Sequence, residues 1–342
     1  MKYRSNCAKA LGVSLVALLT SAQAGEAYRF LKEIPVGGEG GWDYLATDAA
    51  RHRLYVSHAT KVVVIDTVTD TVIGEIADTP GVHGIAVAPE LGHAYTSNGK
   101  DNSVSVVDLA SLKTLTKVTT GTNPDAVMFE PGSKEIYAFN GRSASATVIA
   151  GGNNQVVATI PLGGKPEFAQ ADPAVGFVYD NIEDKNEVAV IDIKTHAVVA
   201  RWSVTPGDEP SGMDIDLAHH RLFIGCGNAK VVVLDSVKGQ VVAVIPAGAG
   251  IDATAFDPGT QLVFASNGRD GTVTIAHEDS PDTYTVVQTL KTERSARTMA
   301  VDQSSHKIYL ASAKFAEPIA GSTKRPPMLP GSFKLLVYGL TP

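Results

Sequence analysis

The chain has 342 residues, is 44% hydrophobic and carries a formal net charge of −7. That acidity argues against broad contact with nucleic-acid phosphates or an anionic membrane surface. Aromatic residues are few and glycines many, a composition suited to short strands and tight turns rather than long helices.

Lys2, Arg4 and Lys9 flank a short apolar run at residues 11–19, and Ala22-Gln23-Ala24 offers a small-x-small cleavage pattern. These features predict a cleaved secretory signal over residues 1–24, export to the periplasm and a mature chain of 25–342. The run is too short for a bilayer anchor, and no later stretch is apolar for long enough to span one. Cys7 precedes the run, which does not fit a lipoprotein. Without these residues 26 basic side chains oppose 36 acidic ones, a net charge of −10. Cys226 is then a single thiol with no disulfide partner. Two fates are open to it, burial as a small apolar side chain or exposure and oxidation.

Strand-like alternation begins at Tyr28-Arg29-Phe30-Leu31-Lys32-Glu33-Ile34. A fuller unit follows in Arg53-Leu54-Tyr55-Val56-Ser57, Lys61-Val62-Val63-Val64-Ile65-Asp66 and Thr71-Val72-Ile73. Its first phrase returns around Tyr95, Tyr137, Tyr179, Phe223, Phe264 and Tyr309, making seven copies. Asp66, Asp108, Ala150 and Asp192 lie 42 residues apart, and Asp235 follows after 43. Four short strands in a repeat of this length predict an all-β, seven-bladed β-propeller in a single domain. Trp42-Asp43 opens the first strand of blade 1, whereas in WD40 repeats that dipeptide closes the third. The last blade lacks a fourth strand after residues 333–338. The segment at residues 28–34 is expected to supply it and close the ring.

The phrase Leu54-Tyr55-Val56-Ser57, with Val62-Val63-Val64-Ile65-Asp66-Thr67 and Thr71-Val72-Ile73, resembles the YVTN repeat of YncE-like propellers. The resemblance covers about residues 28–339. It implies an exported propeller and carries no activity, because its residues build strands and turns. More distantly the chain looks like the propellers of nitrous oxide reductase and haem d1 nitrite reductase. It has no Cys-x-x-Cys-His motif for c-type haem.

Blade geometry sorts the polar residues. His52, His93, His219, His220 and His306 fall at a–b turns, where they are expected to be solvated turn residues. The Asp that ends strand c (Asp66, Asp108, Asp192, Asp235) is expected to accept hydrogen bonds from the next turn. The starts of the innermost strands bring Trp42, Asp43, His83, Asp125, Glu167, Asp252 and Arg297 to one mouth of the central channel. The ends of the second strands are expected to form a wider ring there, including His58, Asn98, Asn140, Cys226 and Asn267. The asparagines, each followed by glycine, are either ligand-binding residues or turn formers. Asp43, His58 and His83 form a candidate divalent-metal set. A loop at 313–332, rich in proline and glycine, is placed to cover this mouth or to stand as a solvated flap.

The expectation is a monomeric binding or scaffolding propeller holding a small ligand, metal ion or protein partner at that mouth. The alternative is a metal-dependent lactonase, lyase or hydrolase using the same residues.

Overall fold

The computed structural model describes Met1, residues 27–317 and residues 326–341. The expected signal segment, apart from Met1, and residues 318–325 of the long loop lie outside the described residues.

Among the described residues, 28 strands form seven four-stranded antiparallel sheets. The chain is a seven-bladed β-propeller. Blade 1 runs through strands a to d as Trp42–Asp48, Arg53–His58, Lys61–Asp66 and Thr71–Ile76. Strands b and c are covered on both faces by neighbouring blades, so Val62, Val63, Val64 and Ile65 are all buried. This explains why they read as continuous β-branched runs rather than as strict alternation. The core accordingly divides into seven apolar clusters, one in each gap between blades. Among the described residues no helix is long and apolar enough to cross a membrane.

The turn chemistry follows the sequence. Asp66 accepts from the amides of Val68 and Thr69 at 3.0 and 2.7 Å, and Asp192 from Thr195 at 2.8 Å. The turn histidines do more than expected. His220 Nδ1 meets Asp172 of the preceding blade at 3.0 Å, and His306 Nδ1 meets Asp257 at 2.6 Å. These partly exposed rings therefore tie blades together on the lower face.

Closure occurs as the sequence predicts. Strand Ala27–Pro35 pairs with Lys334–Thr341 and completes blade 7. Each of the seven outermost strands also carries a bulge, at Leu31, Ile73, Leu115, Val157, Val199, Val242 and Val287. A bulge kinks the strand and interrupts its row of free amides and carbonyls, which hinders edge-to-edge pairing between molecules. Cys226 is buried and free, and burial pushes its thiol up to about 12. It is an inert core side chain.

Candidate functional site

The upper mouth is built by a second set of bulges. Strand a of blades 1 to 6 slips register near its start, as between Trp42 and Leu45 and between Val82 and Ile85. Such a slip re-aims a side chain. Here it turns Asp43, His83, Asp125, Glu167 and Asp252 toward the channel axis. The amides freed at Asp43 and Gly84 are taken by Ser57 Oγ and Ser97 Oγ, both at 2.8 Å.

Asp43 and Asp125 converge on one imidazole. His83 Nδ1 lies 2.7 Å from Asp43 Oδ2 and 3.4 Å from Asp125 Oδ1. Burial works against a charged ring, but the bond to Asp43 and the field of Asp125 outweigh it and raise His83 above its ordinary range. Burial, and secondarily the charge on Asp43, pushes Asp125 up to about 6 against the pull of His83. Arg297 closes the ring on the other side. It contacts Asp43 Oδ1 at 3.3 Å, donates to Trp42 O at 2.9 Å and pairs with Asp252, which also accepts from Ser211 Oγ at 3.1 Å.

Below this ring lies Tyr44, which follows Asp43 on strand a. Its ring, 6% exposed, meets Phe168 edge to face at 5.0 Å across the channel, and its hydroxyl donates to Glu167 Oε2 at 3.3 Å. Burial, then Glu167 and Asp125, hold the phenol well above its ordinary value, so it remains a donor. Glu167 also pairs with Lys165 at 2.6 Å. Lys165 is shared with Glu183, so burial and Asp125 prevail and Glu167 rises to about 7. Beyond the aromatic pair the channel is apolar, a cavity of about 330 Å³ lined by Ile85, Val127, Met128, Phe129 and Ile215.

Asp180 lies in the core near Glu167, and neither of its carboxyl oxygens has a hydrogen-bond partner among the described residues. Burial, then Glu167, raises its pKa well above the ordinary carboxylate value. The same repeat position holds Val56, Thr96, Ala138, Ile224, Ala265 and Leu310 in the other blades. Asp180→Val should therefore raise the unfolding free energy by about 1–3 kcal/mol in urea titrations at pH 8. The gain should shrink at pH 4. A raised folded pKa contributes stability below the unfolded value near 4 that is lost as pH rises. No gain at pH 8 would mean the acid is satisfied in solution.

The expected wider ring is corrected by the structure. His58, Asn98, Asn140, Cys226, Asn267 and Ser312 are all buried, and d–a glycines pack directly against His58, Asn140, Cys226 and Asn267. A Cβ at Gly38 would approach His58 Nε2 to 2.8 Å, and one at Gly121 would approach Asn140 Nδ2 to 2.7 Å. The three asparagines donate to strand-c hydroxyls, Asn98 to Ser103 and Ser105, Asn140 to Ser145 and Thr147, and Asn267 to Thr272 and Thr274. Their side-chain amides thus staple strand b to strand c. His58 stacks on Phe333 at 4.2 Å, away from Asp43 and His83. The metal-competent set is Asp43, His83 and Asp125, whose donor atoms lie within 4.8 Å of one another.

Residues 313–317 and 326–332 of the long loop lie beside the mouth. Phe315 and Met328 pair as a short bridge and pack toward Trp42, whose ring centroid lies 6.0 Å from that of Phe315. Together with Glu39, Arg297 and Pro330 they line a cleft of about 450 Å³. The indole Nε1 of Trp42 is buried without a hydrogen-bond partner among the described residues.

No family model matches the chain, and no curated protein matches it in sequence. Among solved structures the chain is similar to Kuenenia stuttgartiensis hydrazine synthase. The TM-score is 0.71 over 80% of this chain and 93% of that one. Identity is 18%, so the likeness is one of fold.

Proposed function

We propose that the chain is an exported, YncE-like binding propeller whose upper mouth takes a divalent metal ion on Asp43, His83 and Asp125. The observation that carries this reading is the convergence of two carboxylates on one imidazole nitrogen in an accessible mouth. Two oxygens and one nitrogen suit a first-row divalent ion and leave positions open for water or a ligand group. Charge supports it as well. Asp43, Asp125, Glu167 and Asp252 face only Arg297 and Lys165 once His83 is neutral, a deficit a divalent ion would offset. The cleft beside Trp42 then offers an apolar wall to an organic molecule or a partner segment. Export rests on the pattern of residues 1–24, and the YncE-like assignment on the repeated phrase.

The test is elemental analysis of the protein taken from its native compartment without affinity tag or chelator. The His83→Ala variant should hold one metal equivalent fewer than wild type. Equal metal content in the two proteins would sink the proposal.

A second reading, a metal-dependent hydrolase or lyase, is favoured by Glu167. A carboxyl near 7 that touches both Tyr44 and Lys165 is poised to exchange a proton. Turnover of a substrate panel, lost in Glu167→Gln with metal retained, would establish it.

A further inference from the structure

The lower face carries a second convergence of metal-binding side chains, at the junction of blades 5 and 6. Strand a usually ends in an aspartate that caps the turn to strand b. In blades 6 and 7 the residue three positions on gives its hydroxyl to that aspartate, Thr260 to Asp257 at 2.9 Å and Ser305 to Asp302 at 2.7 Å. In blade 5 that residue is His219, and its Nδ1 lies 2.5 Å from Asp216 Oδ2.

Blade 6 departs from the repeat at the facing position. The residue after the end of the b–c pairing is Thr67, Leu109, Gly151, Ile193 or Ser236 in blades 1 to 5, all uncharged, but Glu278 in blade 6. Glu278 is 2% exposed, and its Oε1 lies 3.6 Å from His219 Nδ1. The position of His219 varies among blades, and Arg51 pairs with Asp48 there in blade 1 at 3.1 Å; what sets this junction apart is the buried Glu278 that faces it.

Outer contacts hold the two carboxylates in place. The Ala218 amide donates to Asp216 Oδ1 at 2.9 Å, and the Tyr284 hydroxyl lies 3.2 Å from Glu278 Oε1. Glu278 Oε2 is buried and has no hydrogen-bond partner among the described residues. A buried carboxylate oxygen left bare beside a second buried carboxylate is costly unless a cation joins them. The nearby Arg221 is committed elsewhere, to Asp235, Asp282 and the carbonyl of Pro281. One donor atom from each of Asp216, His219 and Glu278 lies within 4.8 Å of the others.

We propose that Asp216, His219 and Glu278 bind a divalent transition-metal ion that clamps blade 5 to blade 6. Mixed carboxylate and imidazole donors suit Zn²⁺ or Mn²⁺, and the exposed side of His219 leaves room for water ligands. This site is independent of the upper mouth, since the two share no residue.

The test is Zn²⁺ titration of the EDTA-stripped full chain by calorimetry, with circular dichroism as the check on folding. His219→Ala should bind one equivalent fewer than wild type, and Zn²⁺ should raise its melting temperature by less. His219 is largely solvated, so the variant is expected to fold. Glu278→Gln, which keeps the side-chain shape, should lose the same equivalent. The comparison with wild type reads this site whether or not the upper mouth takes metal, because His83→Ala reports on that one separately. Equal Zn²⁺ stoichiometry in wild type, His219→Ala and Glu278→Gln overturns the proposal.

Discussion

Replacing Tyr28 by alanine should lower the unfolding free energy by about 3–5 kcal/mol, the range for removing a large buried aromatic side chain. Tyr28 is 1% exposed and sits on the strand that closes the ring. Its ring packs edge to face on Phe264 at 5.2 Å, and its hydroxyl donates to His306 O at 2.7 Å. Gln288 of blade 6 holds its backbone on both sides, accepting from Tyr28 N and donating to Tyr28 O at 2.9 Å each. The substitution thus loosens the one strand that joins the two ends of the chain. Guanidinium unfolding followed by fluorescence measures the effect. A loss below about 1 kcal/mol would mean that closure depends on the strand pairing alone.

Metal affinity at the upper mouth should fall steeply as the solution is acidified. The ion needs a neutral His83 and an ionised Asp125, whose proton affinities are raised and about 6 respectively. Above both values no proton competes, so the dissociation constant should level off there. Below both, two protons must leave for each ion bound, and affinity should drop toward about a hundredfold per pH unit. Asp125→Asn should make the pH dependence shallower by one proton. Calorimetry in two buffers of different ionisation heat would count the protons released. Binding independent of pH between 5 and 8 would remove His83 and Asp125 from the site.

Much of this molecule was legible before any coordinates. The repeat of about 42 residues, the seven tyrosine or phenylalanine phrases and the missing last strand led to the blade number and the closure. The mouth residues were legible too, because chain position within a blade sets distance from the axis. What failed was depth. His58 and the three asparagines lie at the right end of strand b, but the covering d–a connection decides whether a side chain there meets solvent. No local pattern reports that packing. His58, expected among the metal-binding residues, is buried for the same reason.

Other signals were present and went unread. After the mouth residue, four blades carry the small residues Gly84, Ala126, Gly212 and Ala253, and a Cβ at Gly84 or Gly212 would press on the backbone of the next blade at Val127 or Thr254, whereas Tyr44 and Phe168 are large. Comparing repeats with each other, rather than with an ideal repeat, exposes such departures. Asp180 and Glu278 stand out in the same way, each a charged residue where the other blades are neutral.

The aromatic pair of Tyr44 and Phe168 changes what kind of object the channel is. Blades 1 and 4 stand on opposite sides of the ring, so the two side chains form a crossbar rather than a lining. That crossbar marks the level at which the channel changes character, from a charged upper part to an apolar lower one. A molecule held above it and one held below it would meet opposite chemistry on the same axis.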